Sequence, residues 1–455
     1  MENTILYKKK NFFEKSPEKK DAALAYAKKY MDYLDRSKTE RECVIETIKL
    51  AKEQGYVEYK LGEKLQAGGK YYLNNRGKSL YLIAMGEGNV EDGINILAAH
   101  IDSPRIDLKQ RPLYEEGGMA FLKTHYYGGI RKYQWTATPL ALHGTVVKLD
   151  GTSVDVVIGE DDSDPVLYIN DLLPHLGHDQ AQKPLGTAIL GEQLNLLVGS
   201  EPCKDAENDA LRLTVMNVLK DRYDITEDDF CSAELSAVPV GKARDAGLDR
   251  SMICGYGHDD RVCAYPSVTA LFETDNKDKT AIVILADKEE TGSNGNTGMQ
   301  SMLLLDLIDE IAAQAGANPR RVRANSFCIS SDVTATYDPN FAEVFEKSNN
   351  ALINCGVALS KYTGARGKGD TSDASAETVG RIRRIFEDNG VVWQTAELGK
   401  VDIGGGGTVA KYIANLNIDT IDIGVPVISM HAPYEVISKY DLYSTHLAFL
   451  SFLNA

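Results

Sequence analysis

Four short apolar runs in this 455-residue chain end directly in residues that carry acid, base or metal chemistry. Residues 94–99 (INILAA) run into His100, Ile101 and Asp102, and residues 280–286 (TAIVILA) run into Asp287, Lys288, Glu289 and Glu290. Residues 325–329 are followed by Ser330, Ser331 and Asp332, and the run 420–423 leads through Val425 toward His431. Such short, continuously apolar runs, set between helical patterns, read as strands buried on both faces. Helical patterns occupy 262–272, 299–314, 374–387 and the last stretch of the chain. This alternation predicts an α/β fold, a mixed β-sheet covered by helices on both faces.

The flanking regions divide the chain further. Ser16-Pro17 reads as a helix cap before an apolar pattern over 22–34, and Thr39 with Glu42 fits a capping box for a helix running to Gly55. Residues 70–74 and 79–85 read as strands joined by the turn Asn75-Arg76-Gly77. From 104 to 248 the pattern changes to short β-type runs, such as 144–149 and 154–158, broken by polar stretches such as 159–165. The expected organisation is a discontinuous domain of residues 1–103 and 249–455 with a β-rich insertion, 104–248, between its halves.

Composition narrows the function. Hydrophobic residues at 43% and charged residues at 25% exclude a disordered, fibrous or coiled-coil chain. Lys plus Arg number 50 against 66 Asp plus Glu, a formal charge of −16, which argues against nucleic-acid partners and against anionic membranes. The first residues, MENTILYKKKNFFEK, lack an apolar signal-peptide core, and no apolar run reaches the roughly 20 residues of a membrane span. Seven cysteines without a C-x-x-C pair read as thiols in a reducing compartment. The expectation is a cytoplasmic protein with no nucleic-acid or membrane partner.

Two glycine motifs suggest nucleotides and are set aside. Gly77-Lys78-Ser79 resembles the end of a P-loop, but Tyr72 stands where its first glycine belongs. Gly405-Gly406-Gly407-Thr408-Val409-Ala410 matches G-x-G-x-x-A, with a possible strand at 400–403 before it and Asp422 beyond it. Four successive glycines more often mark close backbone approach. No H-E-x-x-H helix and no G-x-S-x-G elbow occur.

Strand-end residues carry the chemistry. In H-x-D, His100 and Asp102 point to one side of an extended segment, so the carboxylate can orient the imidazole or a neighbouring ligand. Asp259 and Asp260 sit at a loop-to-helix junction, where a cap is the plain alternative. Adjacent Glu289 and Glu290 repel one another unless a cation or a proton lies between them. Loops after open α/β strands form ligand sites, which selects His100, Asp259, Glu290, Asp332 and His431. Two imidazoles and three carboxylates, with no thiolate, suit two divalent ions of zinc, cobalt or manganese type.

The pieces AAHIDSPRIDLK from Ala98, GHDDRV, DKEETGSNG, SSDVTATYDPNF and GVPVISMHAPYE stand in the order found in the aspartyl aminopeptidases. The chain resembles that family of co-catalytic zinc exopeptidases across both outer parts. The resemblance implies that His100 and Asp332 bind one metal, that Glu290 and His431 bind the other, and that Asp259 bridges them. It implies Glu289 as general base for a metal-bridging water, and Asp102 as support for His100 or for the base. It also implies that the β-rich insertion mediates dimerisation, and that dimers assemble into a dodecamer. Peptides are the expected substrates, with release of N-terminal residues.

The sequence departs from the family at its substrate end. Asp332 is followed by Val333-Thr334-Ala335-Thr336, without the family's histidine. Lys361, one residue out of the family's spacing, is the candidate anchor for an acidic side chain, with Arg366 and Lys368 as alternatives. His178, or else His175, is the candidate that reaches a neighbouring subunit's site. A preference for N-terminal Asp or Glu therefore stands beside a neutral-residue preference. A metallo-carboxypeptidase or N-deacylase on the same metal core, and a non-catalytic metal-stabilised assembly protein, are the remaining alternatives.

Overall fold

The structure is a computed structural model that describes residues 5–204 and 206–455. The chain forms two compact units. The first takes in the chain up to Asp102, Ala243–Met430 and Glu435–Ala455, and the second takes in Ser103–Lys242 and His431–Tyr434.

Among the described residues of the first unit, nine strands form one mixed sheet. At its centre Ala281–Ala286, Asn95–His100, Phe327–Ser330 and Asp419–Gly424 lie side by side and parallel. Alternate residues of these strands face opposite ways. Leu97, Ala99, Val283, Leu285, Ile329 and Ile421 enter one apolar cluster, while Ile96, Ala98, Ile282, Ile284 and Cys328 enter another. Helices Lys20–Asp35, His258–Glu273, Ala376–Asp388 and Lys439–Leu453 cover the first face. Leu303–Gln314, Pro319–Asn325 and Ala410–Ala414 cover the second. Double coverage is why these strands show no polar alternation.

The parallel register fixes where the strands end. Ala286 is opposite His100, and Ser330 is opposite Ala98, so the residues beyond all three strands emerge at one edge. Gly424 belongs to the same edge: a Cβ there would lie 1.8 Å from the Asp332 carbonyl oxygen, so only glycine admits this approach. A five-stranded sheet, from Arg244–Ala246 and Met252–Gly255 through Glu435–Ser438 and Pro426–Ile428 to Thr334–Ala335, completes the unit's strands.

The second unit is built on a seven-stranded sheet whose pairings are all antiparallel. Along Met119–Tyr127 burial alternates, with Ala120, Leu122 and Thr124 buried and their neighbours more exposed, as a strand with one core face requires.

Local expectations meet several corrections. Thr39 and Glu42 cap reciprocally, and the helix Glu40–Glu53 follows. Ser16 makes no side-chain cap; Pro17–Lys19 is a 3-10 turn, and the α-helix begins at Lys20. The helix expected from 299 begins at Leu303, and the strand expected from 325 begins at Phe327, because Pro319–Asn325 is itself a helix. Residues 401–403 form a turn, not a strand, and Ala410–Ala414 is only five residues long, so the glycine run lacks the setting of a dinucleotide site. Gly405 instead has φ +118°, and a Cβ there would lie 2.4 Å from Ala365 Cα, the close approach that the glycines suggest. All seven cysteines are free thiols. Among the described residues no helix is long and apolar enough to cross a membrane.

Candidate metal centre

His100 is the last residue of its strand and is almost fully buried. Its Nδ1 lies 3.0 Å from the Asp102 carbonyl oxygen; a carbonyl only accepts, so Nδ1–H donates. That bond fixes the ring's orientation and turns Nε2 toward the carboxylates. Nε2 is 3.1 Å from Asp259 Oδ1 and 3.8 Å from Asp332 Oδ1.

Asp102 does more than follow His100. Its two carboxylate oxygens accept the backbone N–H groups of Glu289, at 3.1 Å, and Glu290, at 3.2 Å. The 3-10 turn Glu289–Thr291 is bracketed by left-handed residues, Lys288 at φ 66° and Gly292 at φ 94°, and so turns sharply off its strand. As a result His100, Glu289 and Glu290 bring ligand-type atoms within 4.8 Å of one another.

Asp259 and Asp260 depart from helical geometry at the start of His258–Glu273. Glu435 Oε2 accepts the Asp259 amide at 3.0 Å. Asp260 Oδ2 accepts the His100 amide at 3.3 Å, while its Oδ1 is buried with no hydrogen-bond partner among the described residues. His100, Asp260 and Asp332 form a second group with ligand atoms within 4.8 Å. Arg261, fully buried, donates from Nη2 to the carbonyls of Lys38, at 3.0 Å, and Ile101, at 3.2 Å, which pins the strand end.

The electrostatics follow from burial. Burial alone would depress the His100 imidazole, but bonds to Asp102, Asp259 and Asp332 carry its pKa well above the usual value. Burial raises Asp260 and Asp332, and like charge adds to both. Burial pushes the Glu289 carboxyl up to about 8, with His100 opposing and Asp332 reinforcing. Several carboxylates crowded about one imidazole repel unless positive charge lies among them. Asp260 Oδ1 is a buried acceptor in the midst of this cluster. Imidazole and carboxylate donors without sulfur fit divalent zinc, cobalt or manganese.

The other predicted residues are placed as follows. His431 belongs to the second unit, where its Nδ1–H donates to the Gly129 carbonyl at 2.9 Å. Lys361 pairs with Asp373, which also accepts from Lys368 at 2.9 Å. His175 and His178 are exposed, in a 3-10 turn and at the start of a four-residue helix. Sequence reasoning gave no role to Glu435 or Arg261 and treated Asp260 only as a neighbour of Asp259. The available signals were the glutamate four positions after His431 and the arginine next to last in GHDDRV.

A doubly covered sheet with buried carboxylates and an imidazole at its strand ends defines a metal-dependent hydrolase. The family model described as Aminopeptidase I zinc metalloprotease (M18) matches residues 33–453. A probable M18 family aminopeptidase 1 of Clostridium acetobutylicum is 48% identical over the whole of both chains. One of Thermotoga maritima is 42% identical over 96% of this chain and 97% of its own. The crystal structure of the T. maritima M18 aminopeptidase superposes with a TM-score of 0.94 at 41% identity, covering 98% of this chain and 99% of its own. That of C. acetobutylicum aminopeptidase I gives 0.93 at 47%, covering 99% and 100%. At 20% identity and a TM-score of 0.77, over 94% of this chain and 96% of its own, a Saccharomyces aminopeptidase shares the fold; it was solved as a dodecamer. The chain belongs to the M18 family and is a zinc-metalloprotease-type aminopeptidase.

Proposed function

We propose that the chain holds two divalent ions and removes single residues from peptide N-termini, with Glu289 as the proton carrier. His100, Asp332 and Asp260 are the candidates for one ion, Glu290 and His431 for the other, and Asp259 for the bridge. Such ions, when bound, lower the pKa of water and polarise a carbonyl oxygen. The observation that carries the reading is the grip of Asp102 on both the Glu289 and Glu290 amides. It holds two adjacent carboxylates in one turn for different work: Glu290 for a cation, and Glu289 for a proton. Burial raises the Glu289 carboxyl above the ordinary glutamate range, which suits a group that must hold a proton for part of the cycle. Glu289 takes the proton of the attacking water and returns it to the leaving amine, while Asp102 keeps the turn in place.

The assembly and the specificity belong to the same proposal. The second unit, with its antiparallel sheet, serves as the dimerisation domain, and the dimers build a dodecamer, the state in which the yeast relative was solved. Lys361 is the anchor for an acidic first residue, and its present pairing with Asp373 means that such a side chain must displace or share that carboxylate. His178, with His175 as the alternative, reaches from one subunit toward another's site.

The test is hydrolysis of aminoacyl-p-nitroanilides and dipeptides by metal-reconstituted protein, with and without chelator. Chelator-sensitive release of Asp or Glu, lost in Lys361→Met, supports the acidic preference; release of Leu or Met keeps the mechanism and discards that preference. Glu289→Gln should retain its metal and lose turnover by about 100-fold or more. Near-native turnover in that variant would sink the assignment.

A further inference from the structure

The glycine run 404–407 is tied to the metal-cluster strands through one buried carboxylate. Asp422 lies in the strand Asp419–Gly424, in register with Ser330 on its parallel neighbour and with Ser360 on its antiparallel one. Its Oδ1 accepts the hydroxyls of Ser330 and Thr408, each at 2.8 Å. The residue is only 3% exposed, and its Oδ2 is buried with no partner among the described residues. Ser330 stands two residues before Asp332, and Thr408 closes the glycine run.

On its other side the run presses against the segment that follows Lys361. Gly406 N–H donates to the Thr363 carbonyl at 3.0 Å, and Gly405 admits no side chain against Ala365. Among the described residues, the amides of Gly405 and Gly407 meet no acceptor. A buried carboxylate that grips two hydroxyls is a poor way to stabilise a core, since apolar groups of the same shape would serve as well. It does hold two segments at a set separation. Gly404 and Gly405 leave no room for a Cβ, at 1.8 Å from the Leu398 carbonyl oxygen and 2.4 Å from Ala365 Cα, while Gly407 is exposed, so the unpaired amides of Gly405 and Gly407 are donors for another backbone.

We propose that Asp422 is a positioning residue: through Thr408 and Ser330 it holds the 404–407 backbone against the strand that leads to Asp332, so that the loop's amides receive the main chain of the peptide substrate. The inference rests on the aminopeptidase reading above. Carbonyls of the substrate peptide are the acceptors that this loop would recognise.

Thr408→Val tests it, because the volume is kept while the hydroxyl is lost. In metal-loaded enzyme, KM for a dipeptide p-nitroanilide should rise about tenfold, the equivalent of one charge-assisted hydrogen bond. kcat should stay within about twofold, since the groups that move protons are untouched. Bound metal per chain, counted by elemental mass spectrometry, should not change. Hydrogen exchange in the peptide spanning 404–407 should quicken. Thr408→Ser restores the hydroxyl and should bring KM and exchange back; should Thr408→Val fail to fold, Thr408→Ala repeats the measurement without steric load. A native KM in either hydroxyl-free variant overturns the proposal. So does joint loss of metal and kcat, which would make the bridge a prop for Asp332 alone. A parent enzyme with no chelator-sensitive hydrolysis would remove the peptidase reading, and this inference with it.

Discussion

The carboxylate of Asp102 accepts the backbone N–H of Glu289 at 3.1 Å, across 187 residues of sequence. Its second oxygen takes the Glu290 amide, so one side chain aims two others. Asp102→Asn keeps the volume but loses one acceptor and the charge. Its turnover should fall about 10- to 100-fold, the usual penalty when a group supporting a metal site is lost. The check is kcat together with bound metal: a native kcat would show that the turn holds itself.

Asp259 is held from behind by Glu435 at 3.0 Å. Asp259→Ala should lose at least one of the bound ions, whereas Glu435→Gln, which can still accept from the amide, should lose affinity by about tenfold while retaining the stoichiometry. Metal titration against a chromogenic chelator separates the two outcomes. Full stoichiometry at native affinity in Asp259→Ala would exclude it as a ligand.

Gly424 lets the Asp332 carbonyl approach to a distance that a Cβ would occupy at 1.8 Å. Gly424→Ala must push that strand end away, at a cost of about 3 kcal/mol or more. Thermal melting and metal content should fall together. A variant that melts like the parent would show that the strand end yields freely.

Asp441, in the helix Lys439–Leu453, is fully buried and accepts the amides of Asn354, at 2.8 Å, and Gly356, at 2.7 Å. Burial pushes its carboxyl up to about 7, against the lowering effect of those two bonds. In the unfolded chain it titrates near the ordinary value of about 3.9. The folded state therefore binds this proton more tightly, and the contribution is complete below about pH 4 and lost as pH rises through about 7. Asp441→Asn holds the side chain permanently neutral. Melting temperatures of variant and parent, compared from pH 5 to 8, should diverge in the variant's favour as pH rises; a constant gap would mean that Asp441 does not titrate in this range.

Much of the candidate site's placement was legible because strands are legible. Residues 94–99 and 280–286 carry enough apolar side chains to be buried whatever surrounds them, so His100 and Glu289-Glu290 had to emerge at strand ends. Asp332 followed by the same reasoning, although the strand before it begins two residues later than the pattern suggests, since Pro319–Asn325 is helical. The misread strand at 400–403 has the opposite cause: its residues are largely exposed, and a short exposed segment follows its neighbours' packing, not its own pattern.

Glu435, Arg261 and Asp422 escaped because their roles are defined by partners far away in sequence. Asp422 is 92 residues from Ser330, and Arg261 is 160 from Ile101. What the sequence by itself determined is the set of elements and the chemical kind of residue at the end of each, since both depend on local periodicity and side-chain type. What only the tertiary structure decided is which carboxylate grips which backbone amide. The parallel register of four strands sets those distances, and register is settled by packing across the whole sheet.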